Sequence, residues 1–397
     1  MVFKFSSFSL PLKISFLIFS MVLNCMGIII LQLSEGKVSY SNLGFLEAFK
    51  DLPIAVISLF AANFINRYGG KKALSISLLA VGICCFLLPL LDVFWFFKFW
   101  FAVIGISFAV AKISIYGIIR NNVADEMTLA KVMSSVEASF MIGIFIVNLG
   151  FGWLISSEYS AFWKFGFWLI SALAFLNVFI LFKTKIMGNM TSTGIVSLST
   201  IANFFNIKTG LFFMIIFTIV FIEQNFNSWL PSFYKKHLNV NSFFALQASA
   251  FLALFSFIGR TVTANIIQRF SLSRYFMVCV VSIFSILILS QFLFFSRFSN
   301  LSLFAFPLIG LFLAPLYPLI SSKMITNIKK DEINIFTSLI VIFSSLGSSF
   351  GSVVMSHVFQ LEYGQYYALY ISAAVIILFG LSFVYFKVDS LKEENNQ

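Results

Sequence analysis

Charge is scarce in this sequence. Only 10% of its 397 residues are Asp, Glu, Lys or Arg, whereas an ordinary soluble domain carries about 25%. Hydrophobic residues make up 60%, more than one core can hide, so the surface itself must be apolar. An ordinary soluble enzyme and a disordered regulator are both excluded. Cysteine is nearly absent. Cys25, Cys84, Cys85 and Cys279 all sit in apolar runs, with no Cys-x-x-Cys or Cys/His spacing. That excludes a secreted disulfide framework and a thiolate metal site, and leaves four small packing residues. Histidine is rarer still. His237 and His357 cannot assemble a Ser/His/Asp set or an HExxH metal motif. No phosphate loop of the form Gly-x-x-x-x-Gly-Lys-Ser/Thr occurs, so direct drive by ATP on this chain is not expected. No catalytic residue, metal or cofactor is expected, and the chain does not read as an enzyme.

Long apolar runs are what the sequence has instead. A membrane span needs about 20 apolar residues, and runs of that length recur with short polar breaks. We place spans at 10–32, 43–65, 74–92, 96–119, 132–156, 162–183, 209–234, 243–266, 275–295, 302–323, 335–358 and 366–388. An even number of spans puts both termini on one side. Assigning that side to the cytoplasm places most Lys and Arg inside, as the positive-inside rule requires, and Trp95, Trp153 and Trp163 near outer ends. The net charge of +11 then reports topology and not nucleic-acid binding. The N-terminal run has no small-residue cleavage site and reads as a first span.

The longest polar break, 184–208, separates two six-span halves. An internal repeat supports the division. Ala62-Asn63-Phe64-Ile65-Asn66-Arg67-Tyr68 follows span two, and Ala264-Asn265-Ile266-Ile267-Gln268-Arg269-Phe270 follows span eight. Asn121 to Asp125-Glu126, after span four, is echoed by Asn327 to Asp331-Glu332 after span ten. The expected organisation is an all-α membrane protein: a first bundle at 1–183, a linker at 184–208, a second bundle at 209–388 and a tail at 389–397. Duplicated halves around a central site are a recurrent plan of secondary transporters, and a channel would not require them.

The run Ala62-x-x-x-Asn66-Arg67-Tyr68-Gly69-Gly70-Lys71-Lys72 resembles the loop 2–3 signature of the major facilitator superfamily, roughly Gly-x-Leu-Ala-Asp-Arg-x-Gly-Arg-Lys. Three positions depart from the pattern. Asn66 stands for the family Asp, Ala62 for the first Gly, and Gly70 for the first basic residue after Gly69. The resemblance implies twelve helices in two pseudo-symmetric halves, alternating access, and an inner gate drawing on Asn66, Arg67, Gly69 and Lys71, with Arg269 in the repeat. Drug/proton antiporters of the family carry a proline-containing Gly-rich motif in span five. Ser139 to Gly152 has no proline. Phe101 stands nearest the span-four position where many members place an Arg. Span seven, with Glu223 and Trp229-Leu230-Pro231, and Pro315-Leu316-Tyr317-Pro318 in span ten look more like the sugar/proton symporters, the fucose symporter group among them.

Charges inside a membrane cost a few kcal/mol each and need a reason. Lys112 lies in span four, eight residues before Arg120. It reads as a cavity-facing cation for an anionic group, or as half of a structural ion pair. Glu223 lies near the middle of span seven, with Gln224, Asn227 and Ser228 around it. Burial disfavours a carboxyl's charged form, so Glu223 can take a proton from one side and lose it to the other. Glu137 in span five is a second proton-coupling candidate. Arg260 in span eight is a gating candidate that either pairs across to span five, where Glu137 is the obvious partner, or snorkels. Glu47, Lys50 and Asp51 open span two. A solvated outer rim accounts for them, and an outside gate of Glu47 and Asp51 is the functional alternative. Asn24, Tyr116, Gln224, Asn227, Trp229, Gln247 and Tyr317 complete the candidates for contacting a solute. The expected function is proton-coupled symport of a small polar solute (a sugar, sugar acid or other organic anion) across a bacterial inner membrane. The proton gradient supplies the energy, and the protein is a monomer whose partners are the bilayer and its substrate, with no nucleic acid. The competing readings are a proton-coupled drug or metabolite exporter and a transport-dead receptor.

Overall fold

The computed structural model describes residues 2–36, 38–91, 93–122, 126–186, 206–266, 271–325 and 333–394. Among them the regular structure is α-helix with short 3-10 turns and no strand. In hydrocarbon a backbone must satisfy its own N–H and C=O groups, and a helix does so within one segment. The first expected span is α1 (Val2–Leu23) and α2 (Met26–Glu35), and the second is α3 (Tyr40–Tyr68). Then come α4 (Gly70–Leu87), α5 (Phe94–Asn122), α6 (Glu126–Ser156) and α7 (Gly166–Lys183). The remainder is α8 (Ile207–His237), α9 (Ser242–Ile266), α10 (Leu272–Phe295), α11 (Ser302–Leu313), α12 (Leu316–Ile325), α13 (Ile333–Gln360) and α14 (Tyr367–Glu394). Eleven stretches of the described residues are long and apolar enough to cross a membrane. The 29-residue α3 carries Glu47, Lys50 and Asp51 in its first half.

Two expected continuous spans are broken. The first breaks at Asn24–Cys25. There the Asn24 side chain donates to the Ser20 carbonyl at 3.0 Å, the same carbonyl that its backbone N–H takes at 3.1 Å, so the side chain competes with the helix ladder. The tenth breaks at Ala314–Pro315, where proline has no N–H to continue the ladder. The expected tail from 389 is an extension of α14, which runs to Glu394. Most of the expected linker, 187–205, lies outside the described residues, as do 267–270 and 326–332 of the sequence repeats.

The chain packs as two compact units. One comprises Met1–Met26 and Phe49–Ile195, the other Gly27–Ala48 and Val196–Gln397. The segment Gly27–Ala48, expected in the first bundle, thus packs with the second set of helices.

In the first unit α1 lies on α6 and α7, and α4 lies on α5 and α7. Asn177 is fully buried and ties α7 to α1, donating to the Pro11 carbonyl at 3.0 Å and the Ser15 hydroxyl at 2.9 Å. A Cβ at Gly105 would strike the Lys50 carbonyl of α3, and one at Gly143 the Leu17 carbonyl of α1. Between α3 and α4, Gly69 adopts φ 81°, which a side chain rarely tolerates. The glycine of the loop 2–3 signature is therefore required by its turn. Beside it, Lys71 donates to the carbonyls of Phe182 (3.2 Å) and Thr184 (2.8 Å), capping the end of α7. Trp95 and Trp153 are exposed as an interfacial belt requires, whereas Trp163 is buried against Phe97 and Phe167.

In the second unit α8 lies on α13 and α14, α9 on α11, and α10 on α11 and α14. Gly310 meets the Leu252 carbonyl and Gly347 the Phe217 carbonyl. These contacts parallel Gly105 with Lys50 and Gly143 with Leu17, each about 200 positions further along the chain. Small residues of this kind let membrane helices approach to backbone contact. At one end of the unit Asp389 is bridged by both Lys208 and Lys323, fastening α14 to α8 and α12.

Candidate functional site

Glu223 lies at the middle of the 31-residue α8. Arg260 of α9 faces it, with Nη2 4.0 Å from Oε1. The same guanidinium donates through Nε to the Ala314 carbonyl at 3.4 Å, at the break between α11 and α12. Gly259, beside Arg260, admits the Leu311 carbonyl to backbone contact, which brings the break within reach of the arginine. The two charged side chains are 37% and 32% exposed, so the pair is open to a solute or to water. Arg260 was expected either to pair with Glu137 or to snorkel. It reaches Glu223, and the Glu137 side chain lies outside those described.

One residue on, α8 carries a second polar group. The Gln224 amide donates to Glu47 Oε1 at 2.8 Å and to the Ser228 hydroxyl at 2.7 Å, and Ser228 donates to Glu47 Oε2 at 3.1 Å. Glu47 is fully buried, and Lys50 and Asp51 are nearly so. This corrects the solvated rim. The α3 carboxylate is enclosed, and its hydrogen bonds compensate for its loss of water. Lys50, in the first unit, lies 3.7 Å from Asp51 and donates to the Leu23 carbonyl at 3.5 Å, at the end of α1. Pro231 frees the Asn227 carbonyl from the α8 ladder. That carbonyl accepts from the Ser249 hydroxyl at 3.4 Å, and Gly27 of α2 packs against it.

The remaining candidates divide. Trp229 is fully buried, donates to the Ser352 hydroxyl at 3.0 Å and packs its ring against Tyr40 and Phe359, so it supports the site without lining it. Asn24 closes its own helix end. Lys112 stands 5.8 Å from the Phe108 ring, and Tyr116 packs on Phe16. Tyr317 lies 3.5 Å from the Ser344 hydroxyl. Gln247 is buried, and its side-chain nitrogen has no partner among the described residues. Arg67 is exposed over the Tyr68 ring. The Asn66 side chain and Arg269 lie outside the described set. The sequence reading missed Ser352, Ser249 and the Asp389 cluster. Each acts through a partner distant in sequence, and single serines in apolar runs give no periodic signal.

The sequence profile of the Major Facilitator Superfamily matches residues 12–352 and 212–397. No curated protein matches the sequence. Solved structures do match in fold. The D-xylose–proton symporter superposes with a TM-score of 0.78 at 13% identity, covering 96% of this chain and 97% of that one. The nucleoside transporter NupG gives 0.75 at 15% identity, with 96% and 99% coverage. The E. coli fucose:proton symporter gives 0.63 at 15% identity, with 95% and 98% coverage. With the family profile spanning nearly the whole sequence on a multi-pass helical frame, this chain is a membrane transporter and not an enzyme, and it belongs to the major facilitator superfamily.

Proposed function

We propose that this transporter takes up a small polar solute, a sugar, sugar acid or other organic anion, by proton symport with alternating access. The carrying observation is the half-open pair of Glu223 and Arg260 in mid-span, with the arginine also holding the free carbonyl of a broken helix. In this reading Glu223 binds the coupling proton. When it is charged, Arg260 balances it. When it is protonated, Arg260 is released toward the solute or the Ala314 carbonyl. Discontinuous helices at mid-membrane are where transporters of this plan bind solute and ion. Lys112 serves as a second cation for an acidic solute. Glu47, held by Gln224 and Ser228, acts as the outer latch, and the loop of Gly69 and Lys71 as the inner one.

The same reading takes α3 as a twelfth span and residues 1–183 and 209–388 as the two moving halves. What supports it is the matched glycine contacts about 200 positions apart. Both termini lie in the cytoplasm, the membrane is the bacterial inner membrane, the protein works as a monomer, and the proton gradient is its only energy source.

The test is internal pH in proteoliposomes challenged with a panel of sugars, sugar acids and other small acids. Wild type should acidify the lumen with one solute class, and Glu223→Gln should not. Labelled solute crossing without any proton flux in wild type would overturn the coupling.

A further inference from the structure

The second unit contains a cavity of about 140 Å³ away from the mid-span pair. It lies between the end of α2, the first residue of α3 and the last turns of α8. Ser34, Glu35, Tyr40, Ser232, Lys235 and Lys236 line it. Ser232 is nine residues beyond Glu223, about 14 Å along the helix. The residue is 2% exposed, and its buried hydroxyl has no hydrogen-bond partner among the described residues. A buried hydroxyl left unpaired costs about 1–3 kcal/mol, so a native one facing a cavity points to something that fills it.

The charges around the cavity are unequal. Lys235 is committed, 3.5 Å from Glu35 and donating to the Ser242 hydroxyl at 3.0 Å. Lys236 stands 5.0 Å from the Tyr40 ring centroid, and no carboxylate lies against it among the described residues. Tyr40 lies ahead of the expected span 43–65. Burial pushes its hydroxyl up, the Ser34 hydrogen bond lowers it, and the Glu35 charge again raises it, with a net upward shift. It therefore remains a neutral donor at physiological pH. The cavity thus offers one uncommitted cation, two hydroxyl groups able to donate, and a carboxylate that discriminates against a second negative charge on the ligand. Its volume is below the roughly 300 Å³ of pockets for drug-sized ligands.

We propose that this cavity binds a small hydroxylated carboxylate, such as a sugar acid or short hydroxy acid. Lys236 meets the carboxylate, and Ser232 and Tyr40 meet the hydroxyls. The proposal deepens the uptake reading and rests on it for the site's role as a collecting point, while the binding itself is independent of transport.

Gluconate binding to the full-length protein in nanodiscs of neutral lipid, measured by calorimetry, tests it. Wild type should bind gluconate in preference to glucose. Lys236→Gln should weaken binding by about tenfold, as loss of a charge-assisted contact does, and Lys236→Arg should restore it. Ser232→Ala should weaken it by about threefold. Lys387→Gln, an exposed charge elsewhere in the second unit, should bind gluconate as wild type does. Equal affinity for glucose, unchanged binding in a folded Lys236→Gln protein, or an equal loss in Lys387→Gln would each overturn the proposal. Lys236-dependent binding without gluconate uptake would uphold the site and count against the uptake reading. Uptake with binding indifferent to Lys236 would do the reverse.

Discussion

Two intramembrane cations in this transporter do similar work in different surroundings. Lys50 meets the carbonyl at the end of α1 and pairs with Asp51. Arg260 meets the carbonyl at the end of α11 and pairs with Glu223. In both, a cation answers the negative end of an interrupted helix, where the macrodipole favours it. The difference is exposure. The Lys50 and Asp51 side chains are 6% and 7% exposed, against 37% and 32% for Arg260 and Glu223. A closed pair strongly opposes removal of one partner, because the other charge is stranded. An open pair contributes little to stability and is free to exchange partners. The first arrangement holds a fold together, and the second suits a transport cycle.

The sharpest way to break the comparison is to remove each cation's charge in turn. Lys50→Met should lower stability by about 3–5 kcal/mol, the cost of breaking a buried pair, read as a fall in unfolding midpoint and in the yield of folded protein. A midpoint within experimental scatter of wild type would remove the structural role. Glu223→Gln should leave that midpoint within about 1 kcal/mol of wild type. Solute uptake driven by a pH gradient should fall about a hundredfold, equivalent to about 2.7 kcal/mol. A Glu223→Gln protein that loses stability and keeps uptake would invert the two roles.

Gly310→Val probes the frame that presents Arg260. Its Cβ would meet the Leu252 carbonyl, and overpacking of this kind costs about 1–3 kcal/mol. Gly105→Val, against Lys50, should cost a similar amount if the two contacts are equivalent, and thermal melts of the two variants compare them directly. Ser228→Ala removes a hydrogen bond to the enclosed Glu47 carboxylate and the one accepted from Gln224, and should cost about 1.5–3 kcal/mol. Initial uptake rates from the outer side should change more than stability does if Glu47 is a latch.

The apolar runs and their charge-poor length located the eleven candidate spans of the described residues, with most boundaries to within a few residues. Hydrocarbon leaves the backbone no other way to satisfy itself, so composition alone is decisive there. The loop 2–3 signature identified the family correctly, and the scarcity of intramembrane charge singled out Glu223, Arg260, Lys112 and Glu47, because each such charge is costly wherever it lands. What sequence could not supply was partnership. It left Arg260 between Glu137 and a snorkelling role, and put Glu47 on a wet rim. Only the tertiary structure decided that Arg260 reaches Glu223, that Gln224 and Ser228 enclose Glu47, and that Ser232 faces a cavity unpaired. Which side chains meet depends on helix rotation and on the close approaches allowed at Gly27, Gly44 and Gly259. Hydrophobic periodicity constrains rotation weakly when a helix is apolar on every side.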